Sequence, residues 1–340
     1  MLRDRRVLIT GGAGYVGRAL AADLLEEGAS LVRIVSRNRS NHESLIQYLR
    51  HDNLECIVGD VRDQESMKQA VDGIDIVIHA AATKTIEDCE SHPFEAISTN
   101  VQGTANVLNS CIGQGVSRVI CLSSTYALHS QSFYGATKLI AERLVRALSR
   151  TPAGKRTVLM CIRLPSILGG EGSVFQIFES AIRSGTHITI TDARARRFMI
   201  TRPEASRLVM RSLLQGKSGE VFVPKCRPFR IVDLARALME IEQKTVEIRT
   251  VTSRDDRSEA MLARQRIHDA ILNEWEARSV KDIGYAYVIP REPRPVTSRP
   301  SSAVRYKSQD VPIMTKTEMI DLIRRDKLVS GKGVAECQEE

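Results

Sequence analysis

Tyr134 and Lys138 stand four residues apart in Tyr134-Gly135-Ala136-Thr137-Lys138, a spacing that places a phenol and an ammonium on one face of a helix. A tyrosine with its ordinary pKa near ~10 is a poor base, but a nearby cation favours the phenolate and draws the group towards working pH. Ser124 lies upstream at the end of a predicted strand, where doubly wound folds hold their ligands, and Thr125 adds a second hydroxyl. A proton acceptor, a cation and a hydroxyl in this order suit the oxidation of an alcohol.

Such chemistry needs a hydride acceptor, and the N-terminal segment offers a place for one. Thr10-Gly11-Gly12-Ala13-Gly14-Tyr15-Val16-Gly17 follows the apolar run Val7-Leu8-Ile9 and opens a helical pattern. Strand, glycine turn and helix in this order let backbone N–H groups and the helix N-terminus face a pyrophosphate, while Gly17 lets helix and strand pack closely. The end of the second strand discriminates between dinucleotides. It reads Ser36-Arg37-Asn38-Arg39 where an NAD site carries Asp or Glu. A hydroxyl and the guanidinium groups of Arg37 and Arg39 suit a 2′-phosphate, so NADP(H) is expected in preference to NAD(H).

The elements that would position these residues alternate. Apolar runs at Val7–Ile9, Leu31–Val35, Leu54–Val58, Ile76–His79, Val119–Leu122 and Val158–Ile162 are continuous, which predicts buried strands. Helical patterns lie between them, at Tyr15–Glu27, Asp63–Val71, Pro93–Gln114 and Tyr134–Ser149. This rhythm predicts an α/β fold with a doubly wound parallel sheet. A cofactor-binding domain is expected over residues 1–165 and a smaller substrate-binding region over 166–329, with 219–225 returning to the sheet. Thr315-Lys316-Thr317-Glu318 predicts a capped helix to about Arg325, and the polar tail 330–340 is expected to be disordered.

The chain has 340 residues, 42% apolar and 26% charged, which excludes a mainly disordered or fibrous protein. Its net charge of +8 raises nucleic acid, an anionic membrane or a phosphorylated small molecule as partners. Half of that charge falls in 291–307, where Arg291, Arg294, Arg299, Arg305 and Lys307 stand against Glu292 alone among several prolines. This stretch reads as an extended solvated strap, not as a nucleic-acid arm. No targeting segment or membrane span is visible, and the seven cysteines show no metal-binding spacing. No metal, no nucleic acid and no membrane are expected, and reduced thiols suit the cytoplasm.

The glycine turn, Asp60-Val61, His79-Ala80-Ala81-Ala82, Thr99-Asn100, Leu122-Ser123-Ser124 and the Tyr134/Lys138 pair resemble an extended short-chain dehydrogenase/reductase. Ser36-Arg37, Lys84, Gly172-Ser173-Val174, Arg197-Phe198, Pro203-Glu204-Ala205, Ile231-Val232-Asp233-Leu234-Ala235 and Tyr287-Val288-Ile289 narrow the likeness to the capsular-polysaccharide branch typified by inverting UDP-N-acetylglucosamine 4,6-dehydratases. Membrane-bound relatives carry an N-terminal membrane region, and this chain resembles the short form without one. The resemblance implies that Gly11, Gly14, Tyr15, Val16 and Gly17 cradle the pyrophosphate. It also implies that Ser36, Arg37 and Arg39 meet the 2′-phosphate, that Asp60 and Val61 flank the adenine, and that Ala80, Ala81, Ala82 and Asn100 line the cofactor channel. Tyr134 would be the base, Lys138 its partner on the nicotinamide ribose, and Lys84, Ser166 and Arg197 contacts to the sugar nucleotide. Arg194, Arg196, Arg197 and Arg202 fit either a diphosphate clamp or an exposed basic face. A homo-oligomer is expected from the family.

The chain departs from the dehydratases where they carry Asp-Lys after the strand-end Ser-Thr, for it has Thr125-Tyr126. Elimination needs one proton removed and another delivered, and general acid–base help is worth ~10²–10⁴-fold per role. Their Arg-x-Gly-Asn stretch is here Arg163-Leu164-Pro165-Ser166. The expected activity is therefore that of an NADP-dependent nucleotide-sugar epimerase, which oxidises a hexose hydroxyl transiently, at C4, on a UDP-sugar such as UDP-N-acetylglucosamine. The alternatives are a UDP-N-acetylhexosamine 4,6-dehydratase that recruits Glu171 or His129, a one-way ketosugar reductase, and a non-catalytic NADPH-sensing interaction protein.

Overall fold

The computed structural model describes residues 2–129, 131–250, 267–292 and 304–331. These residues pack as two units, one drawn from Met1–Leu164, Pro203–Lys225 and Leu272–Val304, the other from Pro165–Arg202, Cys226–Ile271 and Arg305–Glu340.

The first unit is built on β1 (Arg6–Thr10), β2 (Leu31–Ser36), β3 (Leu54–Val58), β4 (Ile76–His79), β5 (Arg118–Ser124) and β6 (Val158–Leu164). They run parallel in the order β3-β2-β1-β4-β5-β6, so the chain reverses its direction of growth between β1 and β4. Beyond β6 the strand Val221–Pro224 adds in parallel, and Ala286–Ile289 and Lys281–Asp282 follow antiparallel. Val7, Leu8, Ile9, Val77 and Ile78 have no exposed surface, as expected of strands covered by helices on both faces. β3 differs from its prediction. It is a sheet edge, its residues are only partly covered and Val58 is exposed, because no further strand follows it.

The pattern at Pro93–Gln114 predicts one helix, but the backbone divides it into Pro93–Ile97, a wide π-type turn at Ser98–Gln102, and Gly103–Gln114. Asn100 sits in the wide turn. Its amide accepts from Thr83 N at 2.8 Å and donates to Thr83 O at 2.9 Å and to Thr137 Oγ1 at 3.0 Å. Such single turns recur at functional sites because they aim one side chain out of the helical repeat.

The second unit has its own core, in which Phe175, Phe178, Ile182, Phe229, Leu234, Leu238, Met319 and Ile323 pack together. Ser166–Ile167, Arg196–Ile200 and Pro228–Arg230 form a small sheet. The predicted cap forms, with Thr315 N donating to Glu318 and Glu318 N to Thr315. The helix it opens continues to Gly331, past both the expected end at Arg325 and the expected start of the tail. Residues 332–340, and most of the predicted strap at 293–303, lie outside the described residues.

Candidate active site

Gly11 has φ +66°, and a Cβ there would lie 2.7 Å from Ala81 Cα. The turn after β1 therefore abuts the segment after β4, at the point where the sheet reverses. A Cβ on Gly17 would stand 2.5 Å from Gly12 Cα, so helix Tyr15–Glu26 can close on the turn only without side chains there. Gly14 is its N-cap, and no acidic residue in the first turn offsets the positive helix end. These residues fit a dinucleotide pyrophosphate: a side-chain-free turn beside a helix N-terminus is the cradle this anion requires. His79 braces the crevice from below, with Nδ1 2.7 Å from Thr10 Oγ1 and Nε2 3.0 Å from Thr104 Oγ1. Burial, aided by the Lys138 charge, lowers its pKa to about 3, so the ring is neutral.

At the end of β2 the Ser36 hydroxyl lies 2.6 Å from Nε2 of buried His42. Arg37 donates to Glu95 at 3.3 Å. Asp60 is held by Arg62, which donates through its backbone N at 2.9 Å and through Nε at 2.8 Å. Burial raises the Asp60 carboxyl, but the Arg62 hydrogen bonds and the charges of Arg62 and Arg37 outweigh it, and the pKa falls below the ordinary value. Val61 is buried, and its carbonyl accepts from Asn106 at 3.0 Å. Arg39 begins helix Arg39–Leu49, is largely exposed and pairs with Glu43 at 3.6 Å. His42, Arg62 and Glu95 are additions to what the sequence marks. Of these only Arg62 had a signal, a basic residue directly after Asp60-Val61.

Ser124, Tyr134 and Lys138, the expected reacting residues, gather where β5 ends. The Ser124 hydroxyl acts to lower the pKa of the Tyr134 phenol, and the Lys138 ammonium lies 5.9 Å from the Tyr134 ring centroid while donating to Leu122 O at 3.0 Å. Thr125 is buried at the head of a short 3-10 turn, Thr125–Leu128. Tyr126, in the same turn, tilts against Tyr134 with centroids 5.7 Å apart. Burial pushes Tyr134 up to about 12, only partly offset by the Ser124 hydroxyl. That runs against the expectation that Lys138 draws the phenol towards neutrality: desolvation raises the phenol, and Ser124, not Lys138, is the group that opposes it. Lys138 is itself lowered by burial, against the raising effect of Cys121, Cys161, Cys89 and Glu142.

Helix Phe133–Leu148 is clamped along its length. Glu90 accepts from Phe133 N at 2.9 Å, Ser132 caps Gly135 N at 3.1 Å, and Asn100 holds Thr137. A Cβ on Gly135 would lie 2.5 Å from Tyr126 O, so the helix meets the 3-10 turn backbone to backbone. Deeper in, Glu142 accepts from Ser123 at 2.7 Å and from Arg163 at 2.7 and 3.0 Å. Arg163 reaches on to Glu276 at 2.8 and 2.9 Å. Arg163 is only 1% exposed, a buried charge of β6 that ties the helix to the later segment Glu274–Ser279. The spacing Tyr134, Lys138, Glu142 continues one face of the helix and was the available signal for Glu142.

Lys84 is exposed in the segment after β4. Ser166 and Arg197 belong to the second unit, on neighbouring strands. Arg197 is buried and donates to Arg196 O at 2.8 Å, and Arg202 is buried as well. Only Arg194 of that group is exposed, paired with Asp192 at 2.7 Å, so the four do not form an exposed basic face.

Residues 7–283 match the family model described as polysaccharide biosynthesis protein. The chain is 32% identical over 298 residues to a UDP-glucose 4-epimerase of Rickettsia rickettsii, covering 86% of this chain and 85% of that one. It is 27% identical over 329 residues, 95% and 96% of the two chains, to a protein of Methanocaldococcus jannaschii named as an uncharacterized membrane protein. Among the described residues no helix is long and apolar enough to cross a membrane. The solved structure of Pen from Bacillus thuringiensis superposes with a TM-score of 0.86 at 30% identity, covering 96% of this chain and 99% of that one. By the span of this match and the doubly wound fold, the chain belongs to the polysaccharide biosynthesis protein family, within the extended short-chain dehydrogenase/reductases that include nucleotide-sugar epimerases and dehydratases.

Proposed function

We propose that this chain is an NADP-dependent nucleotide-sugar epimerase acting at C4 of a UDP-hexose such as UDP-N-acetylglucosamine. The observation that carries the reading is Lys138 set 5.9 Å from the Tyr134 ring, with Ser124 acting on the phenol, at the strand ends that also present the glycine turn. In this reaction Tyr134 takes the proton of the sugar hydroxyl while Ser124 or Thr125 holds its oxygen. Lys138 stabilises the phenolate and meets the ribose next to the reacting ring. Bound nicotinamide dinucleotide supplies the hydride acceptor and donor. Ser36 and Arg37 favour the form with a 2′-phosphate. Lys84, Ser166 and Arg197 contact the sugar nucleotide, and the working form is a homo-oligomer.

Thr125 and Tyr126 supply no carboxylate or ammonium where the dehydratases carry Asp-Lys, which favours epimerisation over elimination. The Rickettsia relatives, named UDP-glucose 4-epimerases, support the same choice. The test is incubation with UDP-N-acetylglucosamine, UDP-glucose and dTDP-hexoses in deuterated water, followed by NMR. A 4-epimer without solvent label is expected. Loss of the C6 hydroxyl with deuterium at C5 would replace the reading with a dehydratase, and absence of turnover with every sugar would favour a non-catalytic NADPH-binding role.

A further inference from the structure

The end of β2 meets two guanidiniums and two carboxylates from three segments of the first unit. Arg37 donates to Glu95 Oε1 at 3.3 Å, and Arg62 Nη1 stands 4.0 Å from the same oxygen. Arg62 is otherwise committed to Asp60, through Nε at 2.8 Å and Nη2 at 2.5 Å. The four charges cancel. Arg37 makes one longer bond, and its side chain is 56% exposed, so it is the cation an arriving anion can recruit. Glu95 comes from helix Pro93–Ile97, remote in sequence from both arginines.

A carboxylate at the adenosine ribose is what a 2′-hydroxyl uses, and a guanidinium is what a 2′-phosphate uses. In this cluster the two are bonded to each other, Glu95 to Arg37. We infer that Glu95 is a specificity-determining residue: it is the counter-ion that a 2′-phosphate must displace from Arg37, and it thereby sets how far NADP(H) is preferred over NAD(H). The inference rests on the dinucleotide reading of the proposed function. A phosphate monoester carries nearly two negative charges near neutral pH, so Glu95 opposes it, while a neutral ribose hydroxyl is not repelled. For groups this exposed, removing one opposing charge changes the affinity of a dianion by about fivefold to tenfold.

The experiment is calorimetric titration of the full chain with NADP⁺ and with NAD⁺, for the wild type, Glu95→Gln, Glu95→Ala and Arg37→Ala, at low and high salt. Both Glu95 variants are expected to bind NADP⁺ about fivefold to tenfold more tightly and NAD⁺ no more tightly, with the gain shrinking at high salt. Arg37→Ala is expected to lose at least ~10-fold for NADP⁺ alone. A ratio within about twofold of wild type in both Glu95 variants, or weaker NADP⁺ binding in them, overturns the role of Glu95 while the preference for NADP⁺ stands. A wild type that does not prefer NADP⁺, with Arg37→Ala silent, removes the cofactor reading and this inference together.

Discussion

Replacing Arg163 by Met removes the cation between Glu142 and Glu276, and the geometry states what should follow. Four charged hydrogen bonds between 2.7 and 3.0 Å are lost, and two buried carboxylates remain whose hydrogen-bond donors among the described residues are Ser123 and the backbone at the Asn273 cap. Breaking a buried ion pair by removing one partner costs ~3–5 kcal/mol, most of it from the charge left behind. The dependence on pH should also invert. In the wild type, burial raises the Glu276 carboxyl but Arg163 outweighs it, so its folded pKa lies below the ordinary 4.5. Its contribution is therefore present above pH 4.5 and lost as the pH falls through the folded value. In Arg163→Met burial, the largest effect on Glu276, is opposed only by the Asn273 backbone hydrogen bond and the Arg146 charge, so the folded pKa should rise above the unfolded one and stability should instead be lost as the pH rises through it. Urea unfolding at several pH values, followed by fluorescence of Trp275 beside Glu276, reads both effects. The variant Arg163→Met with Glu142→Gln and Glu276→Gln should recover much of the loss, since no buried charge is then unpaired. A loss below ~1 kcal/mol, or a slope unchanged in sign, would refute the reasoning.

Other outcomes follow from the same geometry. Tyr134→Phe should lower turnover by at least ~10²-fold with dinucleotide affinity unchanged, and wild-type kcat/KM should keep rising on the alkaline side because the phenol sits at about 12; an acidic optimum would contradict this. His79, neutral to about pH 3, should keep its NMR shifts constant as the pH falls from neutrality to about 4. Because its folded pKa is depressed below the unfolded 6.5, its contribution to stability should decline as pH falls from 6.5 towards the folded value. Gly17→Ala should abolish dinucleotide binding or folding, since its Cβ would lie 2.5 Å from Gly12 Cα; calorimetry and circular dichroism separate the two. Asn100→Ala should cost ~1–3 kcal/mol in thermal unfolding, through the Thr83 amide left without its partner.

The sheet was legible because parallel strands buried on both faces must be continuous apolar runs, and six of them alternate with helical patterns. β3 kept the run but lost the burial, since edge position depends on which strands pair. The wide turn at Asn100 was hidden for a similar reason: a helical pattern does not report a side chain that bonds Thr83 and Thr137 across space.

The sequence alone determined the order of the chemistry, with a glycine turn, a basic strand end, a hydroxyl and a Tyr/Lys pair, because each is a local spacing that a strand or helix converts directly into geometry. Tertiary structure decided the partners. Glu95 reaches Arg37, His42 reaches Ser36, and Glu142 and Glu276 enclose Arg163 only because the sheet brings distant segments together. It also decided the state of Tyr134. The type and spacing of residues predict that Lys138 favours the phenolate, but the desolvation that opposes it depends on everything packed around the ring, which no local spacing records.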